Sequence, residues 1–135
     1  KPIGFYGYPT YPDGALKTSV SEYARFLSIF ANEGKTFEGK AFLKPETVKE
    51  MLSTHHYPGL SSGEKSVGLA WHRGKRFYQH TGGDPGIFTI TLFDPVSRQG
   101  AVFFSNGADY NGPGLVRQLF FIKRVSSILK KKFES

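Results

Sequence analysis

Tyr78-Gln79-His80-Thr81-Gly82-Gly83-Asp84-Pro85-Gly86-Ile87-Phe88-Thr89-Ile90-Thr91-Leu92-Phe93-Asp94 is the stretch on which the fold turns. Its second half alternates with a period of two and reads as a strand from Gly86 to Asp94. Phe88, Ile90 and Leu92 share one face; Thr89, Thr91 and Phe93 share the other. Apolar groups on both faces predict a strand covered on both sides. The first half reads as a strand from Lys75 to His80 that runs into Gly82-Gly83. A glycine pair after a strand lets a second backbone approach closely, and its N–H groups are free to bind an incoming carbonyl. Taken alone, the same pattern describes an ordinary turn.

Outward from this stretch, Ser66 to Arg73 reads as a preceding strand joined through a tight turn at Arg73-Gly74. Gly100 to Asn106 reads as a following strand, joined through Asp94-Pro95-Val96-Ser97. A closing helix is predicted from about Pro113 to Lys132, with Leu115, Leu119, Ile122 and Leu129 lying across the sheet. Upstream, Ser19 and Glu22 stand at capping-box spacing before a helix over Val20 to Asn32, whose stripe is Tyr23, Phe26, Leu27 and Phe30. Gly34 is placed to stop it. A short hairpin over Thr36 to Phe42 turns at Glu38-Gly39, and Pro45 opens a second helix that runs to Leu52. The fold class is therefore α+β. An antiparallel sheet of about three to four strands (residues 66–135, with the terminal helix) follows a helical and loop segment (residues 1–65). The Gly-, Pro- and Tyr-rich opening reads as irregular chain resting on a neighbouring body, although such aromatics can also stack on bases or sugars.

The 135 residues suit one domain. No Cys is present, which excludes disulfides, a thiol nucleophile and Cys-ligated metal sites. No apolar run reaches the ~18 residues of a membrane span, so no transmembrane segment is expected. The formal charge of +7 is concentrated at the end of the chain. Arg117, Lys123, Arg124 and Lys130 to Lys132 face Glu134 alone, which reads as the solvated side of one helix rather than a nucleic-acid surface.

Several motifs fail on their surroundings. Adjacent His55 and His56 point about 100° apart on a helix and have no acid at ligand spacing, so neither a metal nor another cofactor is expected. Gly59-Leu60-Ser61-Ser62-Gly63 has the spacing of a nucleophile elbow but lies between a helix and a strand, the reverse of the order that motif needs. Ser-x-x-Lys occurs at Ser62 to Lys65 and at Ser127 to Lys130, with about one match expected by chance among 12 Ser and 12 Lys. Its chemistry needs the serine at a helix start. Ser62 lies in a loop, and Ser127 lies near a helix end, where the dipole opposes a developing anion.

The ordered set is more specific than its parts. His80-Thr81-Gly82-Gly83-Asp84-Pro85-Gly86, Thr89 to Asp94-Pro95 and Val102-Phe103-Phe104-Ser105-Asn106-Gly107 together resemble the serine β-lactamase and penicillin-binding-protein superfamily, nearest in pattern to its class C-like members. Upstream, Pro12 to Ser19, Glu22 to Phe26, Lys44 to Val48 and Gly68-Leu69-Ala70-Trp71 continue the likeness, which covers residues 12–107 in unbroken order. The resemblance implies a serine that attacks an amide or ester carbonyl through an acyl-enzyme. By position it gives His80 a polarising role and makes Gly83 N–H an oxyanion donor. It turns Thr81 toward the substrate's carboxylate or leaving group, while Gly82 leaves room for substrate backbone. His in place of the family's more frequent Lys favours a D-peptidase, an esterase or an unassigned hydrolase over a strict β-lactamase.

Of the family's three motifs only the third, His80-Thr81-Gly82, occurs; Tyr-x-Asn and Ser-x-Asn are absent. The resemblance places the other two before everything in this sequence. The expectation is thus the C-terminal portion of an incomplete β-lactamase-like fold, inactive alone. Its open sheet edge would be covered by the missing N-terminal half or by a second copy. The intact bacterial parent would act on a small molecule or peptide in the periplasm or outside the cell. The alternative is a non-catalytic binding module on the same scaffold.

Overall fold

The computed structural model of the chain describes residues 7, 14, 16–55, 67–74, 76–108 and 112–134. The opening through Tyr11, His56 and both Gly59-to-Gly63 and Ser62-to-Lys65 motifs lie outside these residues, apart from Gly7.

Helix α1 (Val20–Ala31) begins where the sequence predicts. Ser19 Oγ accepts from Glu22 N at 3.2 Å, and Glu22 Oε2 accepts from Ser19 N at 3.0 Å. Two orphan N–H groups at the helix start are satisfied by this exchange. Asn32 caps the other end, and Gly34 turns the chain at φ 91°. A Cβ on Gly34 would collide with the Leu43 carbonyl. The predicted hairpin follows, with Lys35 bridged to Ala41 and Thr36 N donating to Lys40 O at 2.8 Å. Helix α2 (Pro45–Leu52) has the bounds that Pro45 and the apolar spacing predict.

The sheet is antiparallel with strand order β1-β2-β3-β4: β1 (His72–Arg73), β2 (Tyr78–Asp84), β3 (Gly86–Asp94) and β4 (Gln99–Ala108). Two strand boundaries differ from the sequence reading. The strand expected over Ser66 to Arg73 shrinks to His72–Arg73 plus one bridge from Val67 to His72. Gly68 N donates to Trp71 O at 2.7 Å, and Ala70 takes φ 67°, so the chain bends before it can pair. The strand expected to end at His80 instead runs through the glycine pair to Asp84, with Gly82 opposite Thr89 and Gly83 opposite Phe88. The turn comes at Pro85-Gly86, where Gly86 has φ 81°. Pro followed by a positive-φ glycine is the chemistry of a type II turn. At the next turn Asp94, 2 % exposed, accepts from Val96 N at 2.9 Å and from Ser97 Oγ at 3.0 Å.

Both sheet faces are covered. On one, Leu27, Phe30 and Ala31 of α1 meet Val48 and Leu52 of α2, together with Trp71 and Phe93. Helix α1 crosses β4 at Gly100, where a Cβ would stand 3.1 Å from Leu27 Cδ2. On the other face, Phe88, Ile90 and Leu92 pack with Phe77 and Ala108 beneath helix α3 (Gly112–Glu134). Among the described side chains of α3, Ile122, Val125 and Leu129 reach this core, whereas Leu119 of the predicted stripe is 48 % exposed. The described side chain of Phe121 rests on Phe103 at 5.8 Å between ring centroids. Each fully buried apolar side chain contributes about 1.5–3 kcal/mol, and Leu92 and Phe93, at 0 % exposure, anchor opposite faces of one strand.

Candidate active-site strand

Strand β2 carries the four candidate residues in sequence. Its register with β3 puts His80 opposite Thr91 and Gly82 opposite Thr89. Alternation then sends the His80 side chain to the α1 face, while Thr81 lies on the α3 face. Tyr78, two residues before His80, stacks on Phe93 at 5.5 Å, which confirms the shared face. The four residues therefore do not converge from several elements. They run along one strand, with His80, Thr81 and Gly83 exposed and Gly82 half-buried.

The surroundings of His80 are aromatic. Its ring centroid lies 6.5 Å from that of Trp71 with planes at 89°, and 6.1 Å from that of His72. Thr91 Oγ1 donates to the His80 carbonyl at 3.4 Å. Partial burial lowers the His80 pKa from its ordinary 6.5, and the nearby His72 adds to the effect; a hydrogen bond with the Thr81 backbone opposes both. His80 is thus biased toward the neutral imidazole.

Gly82 has a packing reason to be glycine. A Cβ there would meet Thr89 Oγ1 at 2.7 Å. On its outer side β2 is bordered by β1 only at Tyr78 and Gln79. From His80 to Asp84 no strand borders β2 on the side away from β3 among the described residues. Alternate N–H and C=O groups of that stretch therefore point away from the sheet, able to pair with another extended backbone.

The other motifs do not join this strand. His55 sits at the end of α2, its Nε2 3.0 Å from the Glu50 carbonyl and 3.2 Å from Ser53 Oγ. Ser127 is exposed on the latter part of α3. An open cleft of about 270 Å³ lies near the β1–β2 turn and is lined by Arg73, Arg76, Phe77, Asp94 and Val96; it does not include the four candidates. Among the described residues no three His, Cys, Asp or Glu side chains gather as a metal site. No helix among them is long and apolar enough to cross a membrane.

The Beta-lactamase family model matches residues 2–120. The chain belongs to the β-lactamase family. At family level this places it among the β-lactamase-like serine hydrolases of the penicillin-binding-protein superfamily. No curated protein matches the sequence. Within this β-lactamase-family chain, sequence reasoning missed His72. Its signal was slight, a histidine directly after the Gly-Leu-Ala-Trp segment. Its proximity to His80 depends on a cross-strand pairing two residues long.

Proposed function

We propose that this chain, read as one portion over residues 1–135, supplies one wall of the substrate groove of a class C-like serine hydrolase that cleaves an amide or ester. A β-lactam, a D-amino-acid peptide or a simple ester would be its substrate. The observation that carries the reading is the open outer edge of β2 from His80 to Asp84 in a member of this family. An extended substrate would pair with that edge by main-chain hydrogen bonds. Gly83 N–H would then be one oxyanion donor, aimed where negative charge develops. His80, neutral near pH 7, would meet polar groups of the substrate, and Thr81 would meet its carboxylate or leaving group.

The nucleophile and its base are not supplied by these residues. Of the two Ser-x-x-Lys matches, Ser127 sits in the latter part of α3 rather than at a helix start and Ser62 lies outside the described residues, and the family's second motif does not occur in the sequence. Alone, the chain would therefore not turn over substrate, and the acyl acceptor would come from a segment pairing with the remaining sheet edge. A chromogenic cephalosporin and a p-nitrophenyl ester test this with the chain by itself. The expected rate equals that of a His80→Ala control. Turnover that disappears when one of the chain's own serines is changed to Ala overturns the proposal.

A further inference from the structure

We infer that the outward side of α3 is a docking face for an anionic lipid bilayer, on which the helix lies in the plane of the headgroups. The helix turns its two sides to different surroundings. Ile122, Val125 and Leu129 pack on the core of Phe88, Ile90 and Leu92. At about 100° per residue, Val116, Phe120, Lys123, Ser127 and Lys131 fall in one row on roughly the opposite side, with Arg117, Arg124 and Ile128 along its flank. All eight are exposed. Phe120 is 68 % exposed, Ile128 60 % and Val116 56 %. Single apolar residues scattered on a surface need no partner, whereas several gathered on one helix face mark a contact surface.

Charge selects the occupant. From Gly112 to Phe133 the sequence holds six Lys and Arg and no Asp or Glu. Apolar side chains interleaved with cations are what an interfacial helix presents to anionic headgroups. The apolar groups enter the acyl boundary, and the Lys and Arg heads stay with the phosphates. A second copy of the same face would set Lys123, Arg124 and Lys131 against their own equivalents, like charge on like. A nucleic acid would satisfy the cations but leave Val116 and Ile128 against a polar backbone. Lipid alone satisfies both sets. Because α3 covers the Leu92 face of the sheet and His80 lies on the α1 face, a docked chain holds the His80 side chain on the side away from the bilayer.

Co-sedimentation with vesicles tests the face, using phosphatidylcholine alone and an equal mixture of phosphatidylcholine and phosphatidylglycerol. The chain is expected to bind the mixed vesicles in preference to the neutral ones, and to bind them more weakly at about 1 M salt, where the screening length falls to about 3 Å. Arg124→Gln and Lys131→Gln should each lower that binding about fivefold, the factor for one cation at such a surface. Phe120→Ser should lower it at least about fivefold by removing an inserted ring. All three positions are exposed, so the substitutions leave the core intact. Arg25→Gln, which removes an exposed cation from α1, should change nothing. Equal binding to both vesicle types, no binding to either, or indifference to Phe120→Ser overturns the face. So does a loss at Arg25→Gln as large as that at Arg124→Gln, or a preference for duplex DNA over the anionic vesicles. None of these readouts involves hydrolysis, so the result is independent of the proposed function.

Discussion

The indole of Trp71 meets the imidazole of His80 at right angles across the β1–β2 boundary, with 6.5 Å between ring centroids. The contact ties the candidate strand to the core, because the same indole packs on Phe30 and Phe93, each at 5.0 Å. Trp71 Nε1 is buried and has no hydrogen-bond partner among the described residues. A buried donor left unpaired costs about 1–3 kcal/mol. Trp71→Phe removes that donor and keeps an aromatic ring, so it should destabilise far less than Trp71→Ala, for which about 3–5 kcal/mol is expected. Urea denaturation of the two variants measures the gap; equal losses would contradict this description of the contact.

Glycine at 82 is explained by Thr89. Gly82→Ala should cost about 1–3 kcal/mol through overpacking, since the new methyl group would stand 2.7 Å from Thr89 Oγ1. Thr89→Ala in the same chain should recover part of that loss. A double-mutant cycle reads the coupling directly, and additive effects would show that Gly82 is glycine for another reason.

Asp94 holds the β3–β4 turn through two hydrogen bonds at a buried position, whereas its Arg76 partner lies 3.8 Å away and is largely exposed. Asp94→Ala should therefore cost about 1–3 kcal/mol by orphaning the turn's donors. Arg76→Ala should cost about 0–1 kcal/mol, the range of exposed ion pairs. Unfolding midpoints of the two variants check the order, and a larger effect at Arg76 would reverse the argument.

The capping box makes stability depend on pH. The backbone N–H of Ser19, followed by the hydroxyls of Ser19 and Thr18, lowers the Glu22 pKa from its ordinary 4.5. The folded chain thus binds fewer protons at this group than the unfolded chain does. Its contribution is fully present above the ordinary value and is lost as pH falls through the folded one. Compared with Glu22→Gln, the unaltered chain should lose its advantage in urea midpoint as pH is lowered from about 6 to 3. A difference that stays constant over that interval would contradict the assignment.

Local chemistry explains which elements were legible in the sequence. Ser19 with Glu22, and Pro45 at a first turn, mark helix starts by contacts within a few residues, and α1 and α2 begin there. The two faces of β3 follow from strict alternation, and the structure packs Leu92 under α3 and Phe93 under α1. The misplaced boundaries have non-local causes. Leu69 N donates to the carbonyl of Met51 in α2, leaving no room for a Cβ on Gly68, and Gly68 N turns back to Trp71 O, so the chain bends before β1 can extend. Gly82 and Gly83 read as a strand end, yet β3 supplies a full pairing partner that carries β2 through them to Asp84. In α3 the inward face is set by where the helix lies on the sheet, so Val125 turns inward and Leu119 does not. For the site, His80 to Gly83 were readable as an ordered motif, whereas His72 became a neighbour only through tertiary pairing.

Intact-mass spectrometry after incubation with a penicillin tests the central claim most directly, because an acyl-enzyme is a covalent adduct. The account predicts no mass increase on this chain. An adduct on any serine between Ser19 and Ser135 would contradict it.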